Sequence, residues 1–297
     1  MSFPGRTTLS RSEFLTLRGL RYHVRRWSTA DDRPSPRPTL FLLHGWLDTS
    51  ATFEDLVAPL LPDWQVLCPD WRGFGLSEWP QDGYWFPDYV ADLDALLAHY
   101  APEGAVTLIG HSLGAQVASI YSGVRPLRVE RLVLLDGLFM RDDEPERSPD
   151  RIGTWLDQLR KPLADPSYDS YEQLASRIRR LHSRITPERA LMVAHGWGRI
   201  REDGRIGLCA DPKHRLLFPT SYRLAESKAA WSRITARTLF VDGGRSELRA
   251  RLTAEDIASR RACFRDRHET VIEDCAHMLH FEAPEQTARL IRQFLEA

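Results

Sequence analysis

The sequence lacks the features that mark several large classes of protein. None of its four cysteines stands in a CxxC pair, so neither a zinc site nor a disulfide framework is indicated, and we expect a reducing, cytoplasmic location. It has no run of about 18 apolar residues, and residues 1–21 contain no apolar core of signal-peptide length, so no membrane span is expected. No segment recurs at a fixed period, which argues against a repeat array.

An excess of one charge is also missing. The 40 basic and 41 acidic residues give a formal net charge of −1, so nothing indicates nucleic acid or an anionic membrane as a partner. With 42% hydrophobic residues, the 297-residue chain has the composition of a folded domain. It is long enough for one large domain, or for a domain with an inserted lid. We expect a small-molecule substrate, and a monomer or homodimer.

The first part of the chain alternates between predicted strands and helices. A hairpin is predicted around the turn Arg18-Gly19, followed by a polar loop over 28–38. Such alternation is typical of parallel βαβ units. The predicted strands are 39–43, 65–68, 106–109 and 131–135, and the predicted helices are 51–61, 87–100 and 113–123.

The alternation of strands and helices stops after Gly137. Residues 139–233 show helical patterns and no convincing strand, and the alternation then resumes. The predicted helices of this stretch are 153–163, 171–185 and 187–195; beyond it we expect strands at 237–241 and 269–272 and a final helix over 284–295. The pattern indicates a core of residues 1–137 and 235–297, with an inserted helical cap over 138–234.

A candidate nucleophile lies between a predicted strand and a predicted helix. Residues 110–114 read Gly-His-Ser-Leu-Gly and match G-x-S-x-G, the nucleophile elbow, in the structural context that this motif requires. The elbow would lift the Ser112 hydroxyl above the sheet. The alternative is a glycine-rich turn with a purely structural role.

A serine nucleophile needs a histidine base. In the chain order serine, acid, histidine, the base comes late, and His277 lies in a loop after the last predicted strand. His280 is the alternative, although it is more typical of a packed or locally hydrogen-bonded residue. His44 and His111 lie beside glycines, and we interpret both as hydrogen-bonding residues of the framework.

The base needs an acid that orients it and stabilises its positive charge. Asp136 ends the predicted strand RLVLLD, whereas Asp242 and Glu247 follow or end the later strand TLFVD. We favour Asp136, because Asp242 lies deep at its strand end and Ser246 stands where a loop acid is common. An Asp136 carboxylate that only binds a turn N–H is the alternative.

Two backbone N–H groups are required for an oxyanion hole. We expect one from Leu113, directly after the nucleophile, and one from Trp46, in the loop after the strand at 39–43. The alternative at Trp46 is a simple turn with a packed side chain. The glycine-rich turn at 70–77 does not match a dinucleotide fingerprint, and this chemistry needs neither a metal nor an organic cofactor.

Four segments together resemble the α/β-hydrolase superfamily: LLHGWLDTSATFEDL, PDWRGFGLSE, GHSLG and HMLHFEAPE. Within it, the chain resembles the serine hydrolase-like proteins and, more loosely, the haloalkane dehalogenases. ERALMVAHG and IGLCADPKHRL also resemble the cap of the serine hydrolase-like group. The resemblance implies an α/β-hydrolase fold with a mostly parallel, eight-stranded sheet and an inserted helical cap.

The resemblance also bears on the site. In some related esterases the acid follows the sixth strand and a GGxS serine lies near the histidine, and here Asp136 and Ser246 match that arrangement, with Ser246 in a supporting role. Ala276 replaces the usual glycine before the base. The nucleophile Ser112 is not an aspartate, so dehalogenase and epoxide-hydrolase chemistry does not carry over.

The implied function is hydrolysis of a carboxylic ester or thioester of a small acyl substrate, through an acyl-enzyme. Alternatives are hydrolysis of a carbon–carbon bond or lactone on the same triad, and ligand binding without catalysis. Candidate substrate-binding residues are His111, Phe139 and Trp197, with Leu138 and Trp155 as further pocket walls, although such residues more often belong to a core.

Overall fold

A computed structural model describes residues 8–29 and 37–297. Most of the polar loop predicted at 28–38 lies outside the described residues.

Eight strands form one mixed sheet, in the order β1-β2-β4-β3-β5-β6-β10-β11. The pairs β1–β2 and β2–β4 are antiparallel, and all other neighbours in this sheet are parallel, as the sequence predicts. The strands of the chain are β1 (Thr8–Leu17), β2 (Leu20–Thr29), β3 (Thr39–Leu43), β4 (Gln65–Pro69), β5 (Val106–His111), β6 (Val129–Leu135), β7 (Ser167–Tyr168), β8 (Gly198–Ile200), β9 (Ile206–Leu208), β10 (Arg237–Gly243) and β11 (Arg267–Ile272).

Ten α-helices connect or flank these strands within the described ranges 8–29 and 37–297. They are α1 (Glu54–Val57), α2 (Phe86–Tyr100), α3 (Leu113–Val124), α4 (Ser148–Leu159), α5 (Tyr171–Leu181), α6 (Pro187–Trp197), α7 (Leu224–Trp231), α8 (Ala254–Arg261), α9 (Leu279–Glu282) and α10 (Pro284–Glu296). Among the helices of the described residues, none has the length and apolar character needed to cross a membrane.

Both faces of the sheet are covered, so its central strands are apolar on both sides. Along β3, Phe41 and Leu43 pack in one core with residues of α2, α3 and α7. Leu40 and Leu42 alternate with them and pack in the other core with α1 and α10. This burial explains why the central strands appear in the sequence as continuous apolar runs.

The segment between β6 and β10 is not purely helical, so the prediction of no strand over 139–233 is wrong. Strands β7, β9 and β8 form a separate three-stranded antiparallel sheet beside α5 and α6. Each has only two or three residues, too few for an alternating pattern to be visible in the sequence.

Helix α7 was missed by the sequence analysis, and it packs on the main domain. The Trp231 indole N–H donates to Ser119 Oγ of α3 at 3.0 Å, and Trp231 is fully buried. Although α7 lies within the range predicted as cap, its contacts are with the sheet-covering helices.

Three other local predictions differ from the structure. The helix expected at 51–61 is a 3₁₀ turn over Ser50–Phe53 followed by the single turn α1. Helices α8 and α9 were not predicted, although Thr253 and Asp256 form a capping box at the start of α8 that was readable in the sequence.

Candidate active site

Ser112 lies in a strained turn between β5 and α3. Its backbone has φ 51° and ψ −112°, a region that costs a non-glycine residue about 1–3 kcal/mol. The turn is packed closely, because a Cβ added to Gly114 would lie 2.1 Å from the Leu43 carbonyl oxygen at the end of β3. The sequence motif therefore does form the predicted strand–turn–helix geometry.

Ser112, His277 and Asp136 form one hydrogen-bonded line. His277 Nε2 lies 3.0 Å from Ser112 Oγ, and His277 Nδ1 lies 2.6 Å from Asp136 Oδ2. A carboxylate can only accept, so Nδ1 carries the imidazole proton and Nε2 is left with a lone pair toward the serine hydroxyl. Asp136 is fully buried, whereas the His277 side chain is 24% exposed.

The Asp136 carboxylate is held by one group at the end of β10 and one just after it. The Gly243 N–H donates to Oδ1 at 2.8 Å, and the Ser246 hydroxyl donates to Oδ2 at 2.5 Å. Its own backbone has φ 44°, and its N–H donates to the Val241 carbonyl. These hydrogen bonds fix the direction of the carboxylate.

The structure does not bring the alternative acids to His277. Asp242 lies against Arg261, with N–O distances of 2.7 and 2.8 Å, and Glu247 is exposed at the surface. His280, the alternative base, is fully buried and contacts Asp48.

The two predicted oxyanion amides belong to the start of α3 and to the loop that follows β3. Leu113 is the first residue of α3, so its N–H has no carbonyl partner within the helix. A Cβ added to Gly45 would lie 3.1 Å from Ser112 Cβ, which places the loop of Trp46 beside the nucleophile.

His44 fixes the direction of the peptide that contains the Trp46 N–H. Its Nδ1–H donates to the Gly45 carbonyl at 2.7 Å, while its Nε2 accepts the Trp71 N–H at 2.9 Å. Burial lowers the pKa of His44, in keeping with a neutral ring that donates once and accepts once. In a trans peptide the N–H of Trp46 points opposite to the Gly45 carbonyl, away from His44.

The three candidate substrate-binding residues are largely engaged within the protein. The His111 Nε2–H donates to the His277 carbonyl at 2.9 Å, and the Trp197 indole N–H donates to Asp48 Oδ1 at 2.8 Å. Phe139 is 7% exposed and lies near the Arg261 guanidinium. Contact of these residues with substrate stays a prediction.

A second group of buried polar side chains was missed by the sequence analysis. Asp48, His111 and His280 place potential metal-ligand atoms within 4.8 Å of one another, and one carboxylate with two imidazoles is a set that zinc accepts. The carboxylate already has partners, however, because Oδ1 accepts from Trp197 and Thr52. Its Oδ2 makes a 3.0 Å ion-pair contact with His280 Nε2, without a hydrogen bond.

Two pKa shifts describe the electrostatics of this group. Burial would raise the pKa of Asp48, but His280 beside it holds that pKa well below its ordinary value. Burial lowers the pKa of His111 well below its ordinary value, and His280 and His277 add to this effect. Asp48 is therefore ionised and His111 neutral near pH 7. Asp48 and His280 were present in the quoted motifs HGWLD and HMLH, but only their contact reveals them as a pair.

Comparison with known proteins shows the family of the chain. Residues 38–284 match the family described as alpha/beta hydrolase fold, and the chain belongs to that family. Its sheet and helices also match the thioesterase domain from the curacin biosynthetic pathway, with a TM-score of 0.83 and 22% identity over 96% of this chain and 99% of that one. That likeness carries the fold alone.

Two relatives match this chain over most of their length. The chain is 28% identical to the serine hydrolase-like protein of Danio rerio, over 91% of this chain and 83% of the relative. It is 30% identical to the 3-hydroxybutyrate-oligomer hydrolase of Cupriavidus necator, over 86% of this chain and 88% of the relative. The chain is thus a member of a hydrolase family, as the sequence resemblance implies.

Proposed function

We propose that the protein is a serine hydrolase that cleaves a carboxylic ester or thioester through an acyl-enzyme. The observation that carries the proposal is the unbroken line from Ser112 Oγ through the His277 ring to Asp136. A serine hydroxyl is a weak nucleophile unless an adjacent base takes its proton, and the 3.0 Å distance from His277 Nε2 to Ser112 Oγ supports His277 as that base.

The reaction has two balanced halves. His277 Nε2 takes the Ser112 proton while Oγ attacks the acyl carbon, and the same proton then passes to the departing alkoxide or thiolate. A water molecule next gives a proton to Nε2 and attacks the acyl-enzyme, and that proton returns to Ser112 as the carboxylic acid leaves. Asp136 holds the proton on Nδ1 and stabilises the imidazolium in both halves.

The negative oxygen that forms in each half would be bound by the N–H groups of Leu113 and Trp46. Leu113 directly follows Ser112, and the loop of Trp46 packs beside Ser112. His44 holds the Gly45 carbonyl, so that the Trp46 N–H of the same peptide points away from His44. Loss of one such donor typically costs about 10²–10³ in kcat.

Residues 138–234 are proposed to act as a cap over this site. The segment begins two residues after Asp136, and its apolar cluster includes Met278, the residue after His277. The hydrolase name of the relative from Cupriavidus necator is compatible with acyl-group hydrolysis.

The proposal is tested with the wild type and Ser112→Ala, assayed on p-nitrophenyl esters of increasing acyl length and on acyl-CoA thioesters. We expect turnover by the wild type, and loss of at least about 10³-fold in kcat/KM for Ser112→Ala with an unchanged melting temperature. A fluorophosphonate probe should label Ser112 in the wild type alone.

Two results would contradict the proposal. Retention of more than about a tenth of the activity in Ser112→Ala would exclude the serine as nucleophile. Saturable ligand binding with neither turnover nor labelling would instead identify a binding protein on this fold.

A further inference from the structure

The segment that carries His277 contacts residues 138–234, which we call the insert, as well as the main sheet. We call residues 276–281 the histidine loop, and two buried carboxylates, Asp48 and Glu282, each contact this loop and a side chain of the insert. Neither carboxylate has a part in the proposed chemistry, and a buried carboxylate is costly unless it is paired and hydrogen-bonded.

Asp48 is the first link. Its Oδ2 lies 3.0 Å from Nε2 of His280 in the histidine loop, and its Oδ1 accepts the indole N–H of Trp197 at 2.8 Å. Trp197 is the last residue of α6 in the insert, while Asp48 and His280 are both fully buried. The carboxylate therefore joins the end of a helix of the insert to the histidine loop.

Glu282 is the second link and has the same design. Its Oε2 accepts the N–H of Ala276, the residue before His277, at 2.9 Å, and its Oε1 lies 2.9 Å from Nδ1 of His182. His182 caps the C-terminus of α5 in the insert. Burial opposes ionisation of Glu282, but the hydrogen bonds from His182 and Ala276 bring its pKa below the ordinary value, so it accepts from both as a carboxylate.

Apolar contacts reinforce both links. Phe281 is fully buried and, with Met278, belongs to the cluster formed by Leu174 and Val193 of α5 and α6. The Phe281 ring also lies edge-on to His182. The histidine loop is thus packed into the insert, and on its sheet side the His111 Nε2–H holds the His277 carbonyl at 2.9 Å.

We propose that Asp48 and Glu282 are positioning residues through which the insert sets the placement of His277, an inference that rests on the proposed function of His277 as the base. The His277 side chain is part-exposed, so its 3.0 Å approach to Ser112 depends on where the loop backbone is held. A displacement of about 1 Å at a reacting group can cost about 10²-fold in rate. The insert then contributes to catalysis itself, beyond covering the site.

The test removes only the donors on the insert side. Trp197→Phe and His182→Phe each delete one N–H and keep an aromatic ring against Phe281. The matched control is Tyr84→Phe, which deletes the 2.8 Å bond between the Tyr84 hydroxyl and Asp211, another contact with the 138–234 segment that does not involve the histidine loop. All are measured on the full chain, by the second-order rate of Ser112 labelling with a fluorophosphonate and by kcat and KM on p-nitrophenyl acetate.

We expect Trp197→Phe and His182→Phe each to slow labelling and lower kcat by roughly 5- to 100-fold, with KM within about threefold. Tyr84→Phe should stay within about twofold in all three quantities. Glu282→Gln combined with His182→Phe should lose less than the product of the two single losses, because both changes act on one contact.

Three outcomes would overturn the inference. The first is a wild-type labelling rate and kcat in both Trp197→Phe and His182→Phe, and the second is a change in KM alone. The third is an equal loss of labelling rate and kcat in Tyr84→Phe, because that would mean that the insert is loosened as a whole. If Trp197→Phe fails to fold, Asp48→Asn tests the first link and His182→Phe alone tests the second. Failure of the wild type to label would contradict the proposed function itself, and is thereby distinguished from failure of the positioning role.

Discussion

The ends of β6 and β10 offer a comparison within one sheet. The two strands are parallel neighbours, and Leu135 of β6 pairs with Val241 of β10. The residue after Leu135 is Asp136, and the residue after Val241 is Asp242. The two carboxylates therefore start from the same level at the carboxyl edge of the sheet. One contacts His277 and the other contacts Arg261.

The backbone and the pleat explain the difference. Asp136 has left the strand conformation, with φ 44°, and its side chain extends over the sheet edge toward the histidine loop. Asp242 is still within β10, so it alternates with Val241 and shares a sheet face with Phe240. The Arg261 guanidinium lies 3.6 Å from the centre of the Phe240 ring on that face and donates to the Asp242 carboxylate.

Strand position alone therefore does not identify the acid that contacts His277. Equivalent aspartates have different partners because one local turn changes a side-chain direction. We expect Asp136 to act on the rate and Asp242 on stability, and the following experiments separate these quantities.

The largest effect is expected for Asp136→Asn. An amide cannot hold the proton on His277 Nδ1 and also stabilise the imidazolium, so kcat/KM should fall by at least about 10²-fold, and by up to about 10⁴-fold as in a serine protease triad. Steady-state assays on the best p-nitrophenyl ester measure this, with urea unfolding beside them. A small loss of kcat/KM in Asp136→Asn, together with a large loss in Asp242→Asn, would assign the role of the acid to Asp242.

Asp242→Asn should instead reduce the free energy of unfolding by about 3–5 kcal/mol, because it leaves the buried Arg261 charge without its partner. Burial raises the pKa of Asp242 in spite of Arg261, and burial lowers the pKa of Arg261, so desolvation outweighs attraction within the pair.

The control for this change replaces the whole pair. Asp242→Leu with Arg261→Met should recover most of the lost stability in urea unfolding, because no buried charge remains. The kcat/KM of the folded variants should stay within about threefold of the wild type. A large loss of activity without loss of stability would show that Asp242 serves the site directly.

The smallest effect is expected for Ser246→Ala. It deletes one hydrogen bond to Asp136 Oδ2, and a bond to a charged group contributes about 1.5–3 kcal/mol, so kcat/KM should fall by roughly 10- to 100-fold. Glu247→Gln is the neighbouring control and should change the rate by less than about twofold, since Glu247 is exposed. Equal effects of the two changes would remove Ser246 from its supporting role.

The fold was largely predictable because its central elements have strong local signals. The apolar runs of β3, β5 and β6 follow from burial on both faces, and the elbow motif required the strand and helix that flank it. Strands β7 to β9 gave no such signal, because two or three residues are held by their partners and not by their own pattern.

The chain order of the eight main-sheet strands, the turn at Ser112 and a small set of candidate acids and histidines could be predicted from the sequence. The choice among those acids and histidines needed the folded structure, because contacts between residues more than 100 positions apart depend on how strand ends meet at one edge of the sheet. The same holds for Asp48 and Glu282. Each is an ordinary acidic residue in the sequence, and packing alone gives each one a partner in the insert and a partner in the histidine loop.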